Sequence, residues 1–251
     1  MDGQAVTIAT MKDAIAAIAH DAANGESFAV FTLNLDHLVK RLHNRHFREA
    51  YRRARHVTAD GWPVVWLARR QGARQISRTT GADMLAPLCE IAAALDLPVA
   101  FVGATPEALL AASRALRERA PGLRVVKRVS PAFGFDPNGP AAQAIIEDIR
   151  ASGARLCFVA LGAPKQELFA DRAVSAGVPC GFICIGAAVD FIAGTQKRAP
   201  LWMQRAGLEW AFRLLANPRR LGLRYARSAV VFAKVAWRQF THGPAGAERS
   251  R

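Results

Sequence analysis

Four short runs place polar side chains where an apolar stretch gives way to a helical one, the position at which α/β proteins gather ligands. In Thr32-Leu33-Asn34-Leu35-Asp36-His37 the polar residues alternate, so an extended chain presents Thr32, Asn34 and Asp36 on one side. A buried apolar sheet has little use for such a row, which favours a site over solvation of a sheet edge. In Ala59-Asp60-Gly61 a carboxylate closes a strand and glycine permits a tight turn; an Asx-turn also explains that pair. The run Gly162-Ala163-Pro164-Lys165-Gln166-Glu167 leads a strand into proline at a helix start. Backbone amides and Lys165 then converge on a spot suited to a phosphate or a polar base. The competing reading lays Lys165 along the surface and uses Gln166 to cap the helix. The spacing of a P-loop is missing there, and Gly186-Ala187-Ala188-Val189-Asp190-Phe191-Ile192-Ala193-Gly194 lacks the glycine fingerprint of a dinucleotide site. An NAD-linked oxidoreductase therefore has little support.

The elements that must position these corners alternate along the chain. Strand-like apolar runs cover Phe28–Leu35, Val57–Ala59, Pro98–Val102, Arg124–Val129, Leu156–Leu161 and Gly181–Ile185. Helix-like stretches cover Met11–Ala23, His37–Ala54, Asp83–Leu95, Pro106–Ala120, Ala141–Ala151 and Gln166–Ala176. Near-continuous Val, Ile, Leu and Phe in the strands imply burial on both faces, and the alternation implies a Rossmann-like α/β fold. A mostly parallel sheet flanked by helices is expected. The chain has 251 residues, 51% of them hydrophobic, enough for a well-buried core. Apolar runs stay below the roughly 18 residues of a membrane span, and the first residues lack a secretory signal. The cysteines Cys89, Cys157, Cys180 and Cys184 sit mostly in apolar runs without metal-ligand spacing, as in a reducing cytoplasm.

Charge is the unusual quantity. The net value is +14, and between Lys197 and Arg238 ten cations face Glu209 alone. Such a block wants an anionic partner: nucleic acid, an anionic membrane surface or a phosphorylated substrate. A nucleic-acid-binding α/β protein is the second reading. It should interleave exposed aromatics with its cations or carry a recognised module, and neither is evident.

Taken in order, the corners form a pattern that resembles the bacterial glycosyltransferases of family 26, the WecG/TagA/CpsF group. The resemblance runs through Thr32–His37, Asp60–Gly61, Arg78-Thr79-Thr80-Gly81-Ala82-Asp83, Gly162 to Glu167 and Gly186–Gly194. It continues through Arg198-Ala199-Pro200, Gly207 to Leu214, Asn217-Pro218-Arg219-Arg220 and Arg224-Tyr225. Ala187 departs from it, standing where the family usually has a second glycine. The resemblance implies transfer of a sugar from a UDP-sugar to an undecaprenyl-diphosphate-linked saccharide in cell-surface polysaccharide synthesis. The pathways it suggests are wall teichoic acid, common antigen or exopolysaccharide. It assigns Asp60 as the base, with Thr32 beside it as a catalytic residue and Asn34 lining the same pocket. Arg78, Asp83, Lys165, Gln166 and Asp190 would hold the nucleotide sugar or the acceptor, and Arg213 and Arg219 would reach the diphosphate. It implies no metal or other cofactor, in keeping with the missing Asp-x-Asp signature. N-acetylmannosamine, its uronic acid and glucose are all donors among relatives, and the choice among them is open, as are the acceptor saccharide and any homo-oligomer.

A division into an α/β core over 1–196, a basic helical appendage over 197–240 and a disordered tail over 241–251 is expected. On a helical wheel Arg220, Arg224, Arg227, Lys234 and Arg238 form one stripe about 80° wide at 100° per residue. Leu221, Tyr225, Ala229, Phe232, Ala236 and Phe240 lie opposite. A basic face beside an apolar one suits a helix on an anionic bilayer, and equally a solvated helix docked on the core. With a lipid-linked acceptor the bilayer is the expected surface, giving a cytoplasmic protein held peripherally at the inner face of the membrane. One helix is expected to carry Arg205, Glu209 and Arg213 as an i, i+4, i+8 ladder.

Overall fold

The computed structural model describes residues 5–216, 218, 219, 222, 229, 230, 232 and 233. The first helix, α1 (Met11–Ala23), starts at Thr10, whose hydroxyl accepts from the Asp13 amide. Then come β1 (Phe28–Leu33), α2 (Leu35–His43), α3 (Arg45–Arg53), β2 (His56–Ala59) and α4 (Trp62–Arg70). They are followed by α5 (Gly81–Ala94), β3 (Val99–Gly103), α6 (Pro106–Arg119), β4 (Val125–Val129) and α7 (Pro140–Ser152). The chain continues through β5 (Leu156–Ala160), α8 (Lys165–Ser175), β6 (Gly181–Cys184) and α9 (Ala188–Ile192) to α10 (Leu201–Arg205) and α11 (Glu209–Ala216).

All six strands are parallel, in the order β2-β1-β6-β5-β3-β4. The apolar runs have the burial expected of a sheet covered on both faces: β1, β3 and β6 are buried throughout, and only the edge strand β4 alternates with solvent. One core holds Phe31 and Leu33 of β1 with Leu38, Phe47, Val64, Ile146 and Phe169, so α2, α3, α4, α7 and α8 cover one face. The other holds Phe28 and Val30 with Ile18, Met84, Leu109 and Val189, so α1, α5, α6 and α9 cover the opposite face. Adjacent strands β1 and β6 thus send their following helices to opposite sides. This is the switch point of the sheet, and doubly wound sheets bind ligands at the carboxyl ends of the strands there.

Three expectations are corrected. The single helix over 37–54 is two helices, because Asn44 takes an extended conformation and its side chain accepts from the Phe47 amide instead. The strand over 28–35 ends at Leu33, because Asn34 caps α2 and accepts from the His37 amide at 2.9 Å. Thr32, Asn34 and Asp36 therefore do not line one side of a strand; Asp36 sits in the first turn of α2, paired with Lys40. The ladder helix is interrupted by Gly207, whose φ of +73° ends α10 before α11 begins. Helix α4 was not anticipated. Its Trp62-Pro63-Val64-Val65 start carries β-branched residues, but proline is tolerated in a first turn and the helix is then held by buried Val64 and Leu67. Among the described residues no helix is long and apolar enough to cross a membrane.

Candidate active site

Asp60 follows β2 and is fastened to β1 by its own amide, which donates to the Leu33 carbonyl at 2.8 Å. Gly61 then holds φ at +93°, a conformation that side chains rarely adopt, so the chain can turn at once into α4. Asn34 serves two partners. Its amide oxygen caps α2, which leaves the amide nitrogen facing the Asp60 carboxylate at 3.5 Å. Thr32 is buried one strand position earlier and pairs across to Thr58 of β2.

The segment before α5 is pinned to the same strand end. The Thr79 amide donates to the Ala59 carbonyl at 2.8 Å, and the Thr58 hydroxyl donates to the Thr79 carbonyl at 2.9 Å. Gly81 is required because a Cβ there would lie 2.7 Å from both the Cys184 carbonyl oxygen and the Ile185 Cα. Arg78 is thereby set beside the strand-end carboxylate and Asp83 in the first turn of α5. Asp83 accepts from Arg78 at 3.0 Å and from Arg198 at 2.7 Å. Glu209 of α11 lies 2.7 Å from Arg213, 3.6 Å from Arg198 and 3.7 Å from Arg78. The Arg198 and Arg213 guanidinium groups also stack on Phe191 of α9, 5.8 and 5.5 Å from its centroid.

This surrounding sets the electrostatics of Asp60. Burial pushes its carboxyl above the ordinary aspartate value, Arg213 and Arg78 pull it back, and Glu209 pushes it further up. Asp83 is held below the ordinary range: its burial opposes ionisation, but hydrogen bonding and charge from Arg198 outweigh it. A raised carboxyl among guanidinium groups suits acceptance of a proton beside a developing negative charge.

The remaining expected residues divide. Lys165 opens α8, half-buried. Gln166 does not cap that helix: it is 3% exposed, its Nε2 donates to Glu167 at 2.8 Å and its Oε1 accepts from the Gly186 amide at 3.1 Å. It forms the floor of the β6–α9 turn. Asp190 of α9 accepts from the Thr195 hydroxyl and the Gln196 amide, closing the turn after α9. Arg213 is in the cluster and Arg219 is exposed. Arg220, Arg224 and Arg227 lie outside the described residues, as do Lys234, Arg238 and the expected tail over 241–251. Phe232, expected on a lipid-facing side, instead packs on Trp66 and Trp62 of α4 at 5.7 and 6.5 Å between centroids. Sequence reasoning missed Arg198, Glu209 and Phe191 as parts of the cluster. Arg198 and Glu209 stood in quoted motifs, but nothing local marks them as partners of residues 115 and 131 positions away. A depression of about 260 Å³ lined by His46, Arg53, Leu168 and Arg172 lies elsewhere, and its charge is taken up by the Arg53–Asp171 pair at 2.6 Å.

The profile of the glycosyl transferase WecG/TagA/CpsF family matches residues 2–245. The chain belongs to this family. It is therefore a glycosyltransferase of cell-surface polysaccharide synthesis. Within the basic block after Lys197, Arg198 pairs with Asp83 and Arg213 with Glu209.

Proposed function

We propose that this glycosyltransferase moves a sugar, with inversion, from a UDP-sugar to an undecaprenyl-diphosphate-linked saccharide, without a metal ion. The donor sugar is N-acetylmannosamine, its uronic acid or glucose, and the product enters teichoic acid, common antigen or exopolysaccharide synthesis. The observation that carries this reading is the half-buried Asp60 carboxylate at the end of β2, oriented by Asn34 and influenced by Arg213 and Arg78. Asp60 takes the proton of the acceptor hydroxyl as that oxygen bonds to the anomeric carbon. The bond from the anomeric carbon to UDP breaks, and UDP leaves with the electron pair. Arg78, Arg198 and Arg213 supply the positive charge that the departing or lipid-linked diphosphate requires, in a half-buried setting where charge acts strongly. Lys165 and Asp190 contact the substrates in this reading, and buried Thr32 and Gln166 support the strand end and the turn beside them.

The acceptor's lipid places the reaction at the cytoplasmic face of the membrane, with the protein held peripherally by its basic C-terminal segment. Leu215 is 79% exposed, Leu201 68% and Trp202 64%, beside exposed Arg205 and Arg219. Apolar side chains between cations suit shallow insertion at an anionic surface. The test is a screen of UDP-sugars against a short-chain lipid diphosphate acceptor in the presence of a chelator, with products identified by mass. The reading requires one donor to give acceptor plus one sugar with release of UDP. Failure of all three donors with such an acceptor would overturn it.

A further inference from the structure

We propose that Glu167 is a positioning residue for sugar transfer, acting through Gln166 to fix the turn that joins β6 to α9. The inference rests on the reading of the Asp60 cluster as the place of transfer. A glutamine amide has two nearly isosteric ends, of which only the oxygen can accept from the Gly186 amide. An ionised carboxylate is an acceptor only, so Glu167 Oε1, at 2.8 Å, selects the amide end and turns the oxygen of Gln166 toward the Gly186 amide. Gly186 itself holds φ at +58° and leads into α9, whose Phe191 ring underlies Arg198 and Arg213. The orientation of one buried amide is thus passed on to the platform beneath two guanidinium groups.

Glu167 is costly to keep for packing alone. Its side chain is 0% exposed, and Oε2 has no hydrogen-bond partner among the described residues. Asp36, His37 and Lys40 of α2, Tyr51 of α3 and Cys184 of β6 face it. His37 Nδ1 lies 4.0 Å from Oε1 and 2.7 Å from the Tyr51 hydroxyl, which donates to the Thr32 carbonyl at 3.1 Å. The network therefore also reaches the end of β1, one residue pair before Asn34. Burial pushes the Glu167 carboxyl up to about 7. Once protonated, it can donate to either oxygen-bearing neighbour and no longer selects the amide end of Gln166, so the grip on Gly186 should loosen as pH falls.

Amide hydrogen exchange at Gly186, followed by NMR on the full chain, tests this without any substrate. Glu167→Ala and Gln166→Ala should each speed Gly186 exchange roughly tenfold, and the double variant no more than Gln166→Ala alone. Glu167→Gln keeps an acceptor oxygen but never ionises. It should show the faster exchange of the protonated state at every pH, less than in Glu167→Ala, and lose the change between pH 6 and 8 that wild type shows beyond intrinsic exchange. Donor turnover should fall in parallel with lost protection, with kcat affected more than KM. Unchanged Gly186 exchange in Glu167→Ala, or additive effects in the double variant, would overturn the proposal. If Glu167→Ala does not fold, the pH dependence of wild type against Glu167→Gln decides alone, and identical dependence overturns it. Coupled exchange together with absent turnover in wild type would support the coupling and count against the transfer reading.

Discussion

Two carboxyl groups, Asp60 and Glu167, are raised by burial, and their neighbours differ. Asp60 has guanidinium groups nearby, whereas the charged groups nearest Glu167, Lys40 and Asp36, act on it in opposite directions. Asp60→Asn should lower turnover by about two to four orders of magnitude and leave UDP-sugar binding nearly intact, measured by steady-state kinetics and calorimetry. His37, the near rival for the base, is buried with its Nδ1 on Tyr51, so His37→Gln should not reproduce that loss. Activity should rise with pH as Asp60 ionises, along a limb above the ordinary aspartate value of about 3.9. Since Arg213 lowers that carboxyl, Arg213→Gln should move the limb to higher pH; an unmoved limb would detach Arg213 from the base. Glu167 makes the opposite contribution to stability from a salt-bridged carboxylate. Its folded value is raised, so the unfolded chain binds fewer protons between the ordinary glutamate range and about 7. Its contribution is fully present below that window and is lost as pH rises through it, at a slope of at most about 1.4 kcal/mol per pH unit. Chemical denaturation of Glu167→Gln from pH 4.5 to 8 should show that decline removed.

Among the elements, the join between the core and α10–α11 carries the site. Arg198 bridges Asp83 on α5 and Glu209 on α11, and its side chain is only 21% exposed. Arg198→Ala should cost about 1–3 kcal/mol, between the values for surface and buried pairs, and leave Asp83 and Glu209 facing one another with less neutralisation. Limited proteolysis should then cut between Thr195 and Leu208 faster than in wild type, and the Asp60-dependent rate should fall. Unchanged cleavage would mean that α10–α11 is held by packing of Gly207 against Trp62 instead. Gln166→Ala should act on stability as well as on the candidate site. The amide is buried with both ends bonded, so a stability loss of about 1–3 kcal/mol should accompany weaker donor affinity or turnover.

For the whole molecule, the question is how a protein without a spanning helix among its described residues meets a lipid-linked acceptor. Each cation near an anionic surface contributes about 1 kcal/mol, so the five that the sequence spacing would align on a helix are enough for reversible binding. Removing residues from Asn217 onward should release the protein from anionic liposomes and abolish activity on a lipid-linked acceptor. Charge reversal at Arg227, Lys234 and Arg238 should weaken binding while sparing turnover on a water-soluble acceptor analogue. Because Phe232 packs on Trp66, its truncation should lower stability more than liposome affinity, whereas Trp202→Ser should do the reverse. Co-sedimentation at low and high salt measures both. Equal pelleting with neutral and anionic lipid, indifferent to salt, would reduce the basic block to a solvated face.

Order and type of the elements were legible in the sequence because each is dictated locally. Buried strands need runs such as Phe28–Leu33, helices need their apolar spacing, and α1 was readable to both ends. The corner residues Asp60, Asn34, Arg78 and Gln166 were legible as well, since strand ends, turn glycines and the family resemblance mark them one by one. The break at Asn44 and the early end of β1 were not, because an asparagine caps a helix or continues a strand according to which partner its side chain finds. The Arg213–Glu209 pair, four residues apart, was legible, but the pairing of Arg198 with Asp83 and of Arg78 and Arg198 with Glu209 was not. Charges far apart in the chain reveal partners only when a parallel sheet of this order brings β1 beside β6 and α11 returns over them. The tertiary structure alone decided which carboxyls are buried. Desolvation, the force that raises Asp60 and Glu167, depends on what covers a side chain and not on its sequence neighbours.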